Sequence, residues 1–433
     1  MGPDRRSFCF VHAADLHLDT PFKGIREVAP FVADALREAS LEAFDAIVEL
    51  TLERDAAFLL VAGDVYDGAE RGLRAQLRFR DGLARLARAG IASFVVHGNH
   101  DPVATGWSAV GAWPDAVTVF GCDEVAVVPV ERDGTVIATV QGISYATSAT
   151  TENLALRFAR PAGPGLHVGL LHCNVEGVAA GYANYSPCTL DDLRRSGLDY
   201  FALGHIHQRR VLAGGRGTGD PYVVYPGNTQ ARSPRTGELE PKGAVVVHVD
   251  DGVVDQVEFV ACDRVRFAEV PVPVADLADL AELEERLAEL GRAELDAAEG
   301  RSVVLRARLV GRGGLHRDLA RPGLTEELLR HLRDEAGDRR RFCWWDEVID
   351  ATAPAVERDE VRGRGDFAAD LLELAEALPS RPGDPSALAV DLSGVPRTLA
   401  GSVESILSDD GRLAALVDQA VTLALDELAA EGP

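Results

Sequence analysis

Continuous apolar runs alternate with helical patterns along the first part of the chain. The runs are residues 8–13, 58–62 and 91–96, and apolar positions recur at helical spacing in 31–54 and 69–89. Continuous apolar runs are typical of strands that are buried on both faces, and their alternation with helices indicates a layered α/β domain.

Closely spaced strands follow from about residue 117, separated by glycine and proline. The predicted strands are residues 116–120, 125–130, 136–141, 166–171, 200–203, 222–225, 244–249 and 253–260. Turn residues at this spacing favour strands that are joined by short connections. We therefore predict an α/β fold in which a central sandwich of two mixed sheets is flanked by helices.

The pattern changes after Arg264, where predicted helices at 277–290 and 325–333 flank a strand at 303–309 with one polar face. A chain of 433 residues also exceeds what one hydrophobic core usually serves. The predicted parts are the main domain at 1–264, a small α+β domain at 265–350 and a helical tail at 351–433.

Two apolar stripes run along the predicted tail. The first consists of Phe367, Leu371, Leu374 and Leu378, and the second of Leu413, Leu416, Val417, Ala420, Ala424 and Leu428. Spacing of this kind marks one face of a helix. The stripes either pack on the chain's own domain or dock a partner protein.

The composition is that of a soluble protein, with 46% hydrophobic and 26% charged residues. We expect no membrane span and no secretory signal, because the sequence lacks apolar runs of the required length. Its six scattered cysteines fit reduced thiols in the cytoplasm.

The net charge of −25 opposes a nucleic-acid role, because affinity for the phosphate backbone depends on cations. The acidic residues are unevenly distributed along the chain, however. Eleven arginines stand against six acids between Arg301 and Arg341, and sixteen acids against six arginines from Ala351 onward. Acid at a metal site is also expected, since bound metals supply positive charge.

Five short polar blocks each follow an apolar run. They are Asp15-Leu16-His17, Gly63-Asp64-Val65-Tyr66-Asp67, Gly98-Asn99-His100-Asp101, His172, and Gly204-His205-Ile206-His207. Each block alone is a weak signal. Because open α/β sheets place their sites at the carboxyl ends of strands, we expect the five blocks to converge.

The blocks contain three oxygen ligands and four imidazoles: Asp15, His17, Asp64, Asn99, His172, His205 and His207. Residues two apart in an extended segment point the same way, so Asp15 and His17 can reach one ion. The carboxylate of Asp64 can bridge two. We predict a site for two divalent ions, with Mn²⁺ first and Fe or Zn²⁺ as alternatives.

Two divalent ions are expected to clamp a phosphodiester for in-line attack by water. His100, one residue beyond Asn99, is placed to protonate the leaving oxygen as general acid. Asp67 and Asp101 are expected to orient ligands by hydrogen bonds.

The blocks resemble the calcineurin-like metallophosphoesterase superfamily, whose pattern is D-x-H, G-D-x-x-D, G-N-H-[DE], H and G-H-x-H. Every position is present. The resemblance assigns one ion to Asp15, His17, Asp64 and His207, and the other to Asp64, Asn99, His172 and His205. It makes His100 the catalytic histidine.

Residues 11–19 (V-H-A-A-D-L-H-L-D) and 225–232 (Y-P-G-N-T-Q-A-R) resemble the DNA-repair exonuclease branch, the SbcD-like and YhaO-like nucleases. In that branch a small capping domain follows the phosphoesterase domain and helps engage DNA. A helical tail often docks an ATPase partner with a long coiled coil, and homodimers are common. Arg232 and Arg235 are candidate phosphate contacts.

The leading hypothesis is a cytoplasmic DNA exonuclease that works in DNA repair with an ATPase partner. A small-molecule phosphatase or cyclic-nucleotide phosphodiesterase is the second, although such a substrate needs no long segment after residue 264. A subunit that mainly binds a partner is the third. His12 is expected to pack in the core, and Trp344 and Trp345 either pack in the cap or stack on bases.

Overall fold

The structure, a computed structural model, describes most of the chain. The described residues are 7–20, 29–68, 72–104, 110–176, 184–215, 218–234, 237–334, 340–353, 361–377, 417, 420, 421, 424, 425 and 428. Their strands are β1 (Phe8–Ala13), β2 (Phe58–Ala62), β3 (Ala92–Val96), β4 (Val117–Val119), β5 (Ala126–Arg132), β6 (Thr135–Gly142), β7 (Leu166–His172), β8 (Tyr200–Gly204), β9 (Arg210–Ala213), β10 (Tyr222–Tyr225), β11 (Gly243–Asp250), β12 (Val253–Ala261), β13 (Val265–Pro273), β14 (Ser302–Arg312) and β15 (Cys343–Ala353). Their helices are α1 (Pro30–Glu53), α2 (Leu73–Arg88), α3 (Leu190–Arg195), α4 (Leu280–Ala297), α5 (Leu315–Leu319), α6 (Leu324–Asp334) and α7 (Phe367–Ala377), with a 3-10 helix at Leu154–Arg157.

Two six-stranded sheets form the centre of the molecule's first part. The strand order is β12-β11-β1-β2-β3-β4 in one sheet and β5-β6-β7-β8-β10-β9 in the other. Strands β1 to β4 run parallel, as do β6, β7, β8 and β10, and the remaining neighbours pair antiparallel. Each sheet is therefore mixed, which confirms the predicted two-sheet α/β fold.

The inner strands are buried on both faces, as their continuous apolar sequences predict. In β2, Phe58 and Leu60 point into the core between the two sheets, whereas Leu59 and Val61 point toward helices α1 and α2. Successive side chains of a strand alternate between its faces, so an unbroken apolar run serves two cores at once. A third core covers the outer face of the second sheet.

Aromatic rings join the two sheets. Phe10 of β1 stacks on Phe58 of β2 with ring centroids 4.7 Å apart, and it meets Tyr200 of β8 edge-on at 5.2 Å. His12 is buried in the same core, with Nδ1 3.0 Å from the hydroxyl of Tyr200. This position confirms the prediction that His12 packs in the core.

Five helices and strands were not predicted, α3, α5, β9, β13 and β15, and neither was the 3-10 helix at Leu154–Arg157. Strand β9, at the sheet edge, is only four residues long, and its three apolar residues are too short a run to predict a strand. Helix α3 does carry a signal, because Thr189 and Asp192 form a capping box at its start. The large apolar residues of β13 recur two apart at Val265 and Phe267 and again at Val270 and Val272, a spacing that is also readable as a strand.

Strands β13, β14 and β15 form a third, three-stranded sheet. Contacts divide the chain into two compact units: the first comprises Met1–Ala268, Glu294–Leu305 and Gly337–Trp344, and the second Glu269–Ala293, Arg306–Ala336 and Trp345–Pro433. The predicted division at residues 264 and 350 stays a prediction. Trp344 and Trp345 are both buried, and Trp344 meets Phe31 edge-on at 5.9 Å, so these two rings pack inside the protein.

Helix α7 buries a different face from the one its largest side chains predict. Leu372 and Ala375 are buried in a cluster with Val361, whereas Phe367 and Leu374 are 69% and 64% exposed. For those two side chains, the predicted alternative of packing on the chain's own domain is therefore wrong. Leu378, Leu413 and Leu416 lie outside the described residues.

Among the described residues, no helix has both the length and the apolar character that a bilayer crossing requires.

Leu60→Ala should lower the free energy of unfolding by about 2–5 kcal/mol, because Leu60 is fully buried between the sheets and its loss leaves a cavity. Denaturant unfolding measures the change. Leu156→Ala is the matched control: Leu156 is 62% exposed, and its removal should change the unfolding free energy by less than about 0.5 kcal/mol. Similar losses in both variants would contradict the assignment of the core.

Candidate metal centre

The five polar blocks begin at the carboxyl ends of parallel strands in both sheets. Strands β1, β2 and β3 supply the first three blocks, and β7 and β8 supply His172 and the last block. Backbone hydrogen bonds continue past the strand ends, since the N–H of Asp15 donates to Gly63 at 3.1 Å and that of His17 to Asp64 at 3.0 Å. The blocks therefore meet at one place, as predicted.

Four candidate ligands have a left-handed backbone that side chains rarely adopt. The φ angles are 52° at Asp15, 41° at His17, 50° at Asp64 and 101° at His205. Each such residue costs about 1–3 kcal/mol and persists only where the surroundings impose it. The repeated strain at strand ends is typical of a functional site.

Two glycines leave room for the ligands behind them. A methyl group on Gly63 would overlap the ring of His172, and one on Gly98 would overlap both His172 and the carboxylate of Asp64. Gly63 also has a φ of 88°, which disfavours other residues. The glycine that precedes Asp64 and the one that precedes Asn99 are thus steric requirements of the site.

All seven predicted ligands lie together. On one side, Nε2 of His17 is 3.3 Å from Nε2 of His207, and ligand atoms of these two residues and Asp15 lie within 4.8 Å of one another.

On the other side, the corresponding atoms of Asp15, Asp64 and His172 also lie within 4.8 Å of one another. Oδ1 of Asn99 is 3.1 Å from Nε2 of His172 and 3.2 Å from Nδ1 of His205.

Burial strongly affects the titration of these groups. Burial and the neighbouring Asp64 raise the pKa of Asp15 well above its usual range, and burial together with Asp101 raises the pKa of Asp64 to about 6. Burial lowers the pKa of His17, and that of His172 to about 4. Two buried carboxylates thus face neutral imidazole nitrogens, a donor set that divalent cations fit.

Hydrogen bonds set the proton positions of two imidazoles. Nδ1 of His172 lies 2.9 Å from the carbonyl oxygen of Ala62, and Nδ1 of His207 lies 2.9 Å from Oε1 of Glu238. A carbonyl or carboxylate oxygen can only accept, so each Nδ1 carries a proton, and in the neutral ring each Nε2 keeps its lone pair. Both lone pairs face the cluster.

His100 lies beside the cluster and is held by Asp67. Its Nδ1 is 2.6 Å from Oδ1 of Asp67, while the guanidinium of Arg232 binds Oδ2 of the same carboxylate. The hydrogen bond with Asp67 raises the pKa of His100. The side chain of His100 is 39% exposed, so a substrate can reach it.

Asp101 orients the backbone of two blocks. Its carboxylate accepts N–H groups of Val65 at 3.0 Å and Gly98 at 2.8 Å, and it lies 3.1 Å from Nδ1 of His97. Asp67 and Asp101 both contact the candidate ligand segments, in keeping with the orienting role expected of them. Arg235 lies outside the described residues.

Sequence reasoning missed Glu238, which contacts His207, and Lys242, whose Nζ donates to the carbonyl oxygen of His207 at 2.8 Å. Neither lies in one of the five blocks. The nearest signal was the loop ending at Arg232, six residues before Glu238.

Two family models match the chain. The model of the calcineurin-like phosphoesterases matches residues 9–209, which contain all five blocks. The model of the middle domain of metallophosphoesterase YhaO matches residues 267–353. Together with the two-sheet fold, these matches define a metallophosphoesterase, a hydrolase of phosphate esters whose family binds divalent metals.

Proteins of similar sequence include a metallophosphoesterase and two DNA-repair proteins. The chain is 34% identical over 343 residues to the uncharacterized metallophosphoesterase YhaO of Bacillus subtilis (strain 168), covering 77% of this chain and 79% of that protein. It is 26% identical to DNA double-strand break repair protein Mre11 of Thermoplasma acidophilum, over 57% of this chain and 63% of that one. It is 28% identical to the Mre11 of Aeropyrum pernix, over 46% and 49%. The chain belongs to the calcineurin-like phosphoesterase family, in the branch that includes YhaO, which confirms the resemblance.

Asp67→Asn should lower the pKa of His100 in the metal-free protein, because it removes the negative partner of the imidazolium. The pair raises the folded pKa above the unfolded value of about 6.5, so its stabilisation is complete below that pH and is lost as the pH rises through the folded pKa. Histidine-resolved NMR titration measures the shift, and unfolding at several pH values measures the stability.

Asp81→Asn is the control, because Asp81 is exposed and pairs with Arg80 on helix α2. An unchanged pKa of His100 in Asp67→Asn, or equal shifts in both variants, would refute the contact.

Proposed function

We propose that the protein is a metal-dependent phosphodiesterase that acts on DNA, as an exonuclease in DNA repair with Mn²⁺ as its metal. The observation that carries the proposal is the convergence of seven ligand side chains beside the pair of His100 and Asp67. Similarity to two Mre11 proteins, named for repair of DNA double-strand breaks, supports DNA as the substrate.

The ligand side chains would hold two ions. One set is Asp15, His17, Asp64 and His207, and the other is Asp64, Asn99, His172 and His205. When bound, two divalent ions supply Lewis-acid charge to the phosphate and lower the pKa of water. The chain's own contribution is to hold the carboxylates and the Nε2 lone pairs in place.

His100 is the proposed general acid. Asp67 occupies its Nδ1, so Nε2–H is left to donate to the leaving oxygen of the ester. The raised pKa keeps His100 protonated over a wider range of pH, which is the form that a general acid requires. Arg232 shares the carboxylate of Asp67 and is the proposed phosphate contact.

The arginines in residues 265–350, the predicted capping domain, give only limited support for strong unassisted DNA binding. Arg306 pairs with Asp346 at 2.9 Å, and Arg308 with Glu269 at 2.7 Å. Arg333 donates to backbone carbonyl oxygens at 2.7 and 2.8 Å. These pairs, with the net charge of −25, favour the second candidate, a phosphatase or cyclic-nucleotide phosphodiesterase with a small substrate.

A partner protein could supply the missing DNA affinity. Phe367 and Leu374 present apolar surface on α7, and we propose this helix as the docking element for a coiled-coil ATPase. A homodimer is the second assembly that we propose to test. All six cysteines are free, which supports a reducing compartment such as the cytoplasm.

His100→Ala should reduce hydrolysis by about 10²–10⁴-fold, the usual contribution of a general acid. The assay uses Mn²⁺ with 5′- and 3′-labelled single- and double-stranded DNA, beside p-nitrophenyl phosphate and a cyclic nucleotide. EDTA should abolish the activity. His248→Ala is the matched control, because His248 lies on strand β11 and pairs with Glu258 at 3.1 Å.

Shortening of DNA that both His100→Ala and EDTA abolish supports the nuclease, and the position of the label gives its polarity. Cleavage of the small esters alone would refute DNA as substrate and leave the second candidate.

Arg232→Ala should weaken DNA binding and reduce the slope of log affinity against log salt by about one, as expected when one phosphate contact is lost. Binding is measured by fluorescence anisotropy at several salt concentrations. Arg80→Ala is the control, because Arg80 pairs with its neighbour Asp81 on the exposed side of α2. An unchanged slope in Arg232→Ala would assign Arg232 to holding Asp67 only.

A further inference from the structure

A carboxylate outside the five blocks holds one of the candidate ligands. Oε1 of Glu238 lies 2.9 Å from Nδ1 of His207, and the glutamate side chain is only 12% exposed. Its other oxygen accepts the N–H of Arg232 and, at 3.2 Å, the side-chain amide of Asn228. Three donors converge on two oxygens, so a carboxylate, which only accepts, satisfies all of them.

We propose that Glu238 is a positioning residue that presents His207 to a divalent ion. This inference rests on the proposed metal-dependent function and concerns the subsite of Asp15, His17 and His207. Because Nδ1–H of His207 donates to Glu238, the lone pair of the neutral ring lies on Nε2, 3.3 Å from Nε2 of His17. Loss of such a carboxylate partner typically weakens metal affinity by about 10–100-fold.

The backbone and the side chain of His207 are held by different groups. Nζ of Lys242 donates to the carbonyl oxygens of His207 and Gly237, each at 2.8 Å, and so fixes the backbone. Glu238 contacts the ring. A substitution of Glu238 is therefore expected to alter the orientation and the proton position of the His207 imidazole, while the backbone at His207 stays in place.

Glu238 also connects the ligand to the proposed catalytic histidine. The N–H of Arg232 binds Glu238, the guanidinium of Arg232 binds Asp67, and Asp67 holds His100. A continuous series of contacts thus runs from His207 to His100. The residue that positions the ligand also positions the arginine beside the general acid.

Glutamine cannot replace Glu238. Its single oxygen can face His207, which leaves its NH₂ group against the two donors from Arg232 and Asn228. In the opposite orientation the NH₂ group faces Nδ1, which must then accept, so the ring proton moves to Nε2. Either outcome weakens one subsite. The other subsite is held by contacts of its own, since Oδ1 of Asn99 lies 3.1 Å from His172 and 3.2 Å from His205.

The test compares Mn²⁺ binding to the metal-free full-length wild type, Glu238→Gln, Glu238→Asp and Glu258→Gln by calorimetric titration, with electron paramagnetic resonance of the loaded proteins. Glu258→Gln is the matched control, since Glu258 pairs with His248 at 3.1 Å away from the site. Glu238→Asp retains the charge on a shorter side chain. Thermal melting of the metal-free proteins reports on folding.

The expected result is that Glu238→Gln binds one ion as the wild type does and the other about 10–100-fold more weakly. The resonance of two coupled ions should give way to that of an isolated ion. Glu238→Asp should regain part of the second affinity, and Glu258→Gln should match the wild type. Metal-free Glu258→Gln should melt as the wild type does, and metal-free Glu238→Gln should stay folded but melt somewhat lower, because its amide leaves buried donors unpaired.

Wild-type affinity for both ions in Glu238→Gln overturns the inference. Equal weakening at both subsites, with a lower melting temperature of the metal-free protein, also overturns it, because Glu238 would then be merely structural. A wild type that binds fewer than two ions contradicts the proposed two-metal function and this inference with it. If the wild type binds two ions and only the result expected for Glu238→Gln is not observed, the inference about Glu238 is wrong and the proposed function still stands.

Discussion

The burial of two carboxylates in one site is the constraint on which the rest of the structure depends. Asp15 and Asp64 are almost completely removed from water, and this burial opposes their charged forms. Backbone N–H groups compensate in part, since that of His205 donates to Asp15 at 3.1 Å and that of His100 to Asp64 at 2.9 Å. A bound divalent cation would stabilise the ionised carboxylates that burial disfavours.

Meeting that constraint requires two sheets that end at the same place. The first sheet contributes both carboxylates and Asn99, and the second contributes His172 and the segment of His205. The apolar packing between the sheets, such as Phe10 against Tyr200, fixes the spacing of groups that share no local sequence. The core therefore stabilises the fold and also determines the geometry of the site.

Features of the fold and the site that depend on residues close together in the sequence could be predicted. Strand β2 follows from its apolar run, and Asp64 stands two residues beyond the end of that run. Contacts between distant segments could not be predicted, and Glu238 is the clearest case because no motif links it to His207, 31 residues away. Helix α7 shows a different limit, since periodicity identified the helix but large side chains indicated the wrong buried face. The left-handed backbone conformation of His205 likewise depends on residues that are close in space and cannot be identified from the sequence.

The double-sided burial of the inner strands restricts how such a protein can change its length over evolution. Deleting one residue from β2 would exchange the two sets of side chains between cores and turn Asp64 away from its partners. A change of length after β12 should disturb the site less, because the last candidate ligand, His207, precedes that strand. Diversification within the family should accordingly concentrate in the segments after Ala261, while the strand lengths before the ligands are inherited together.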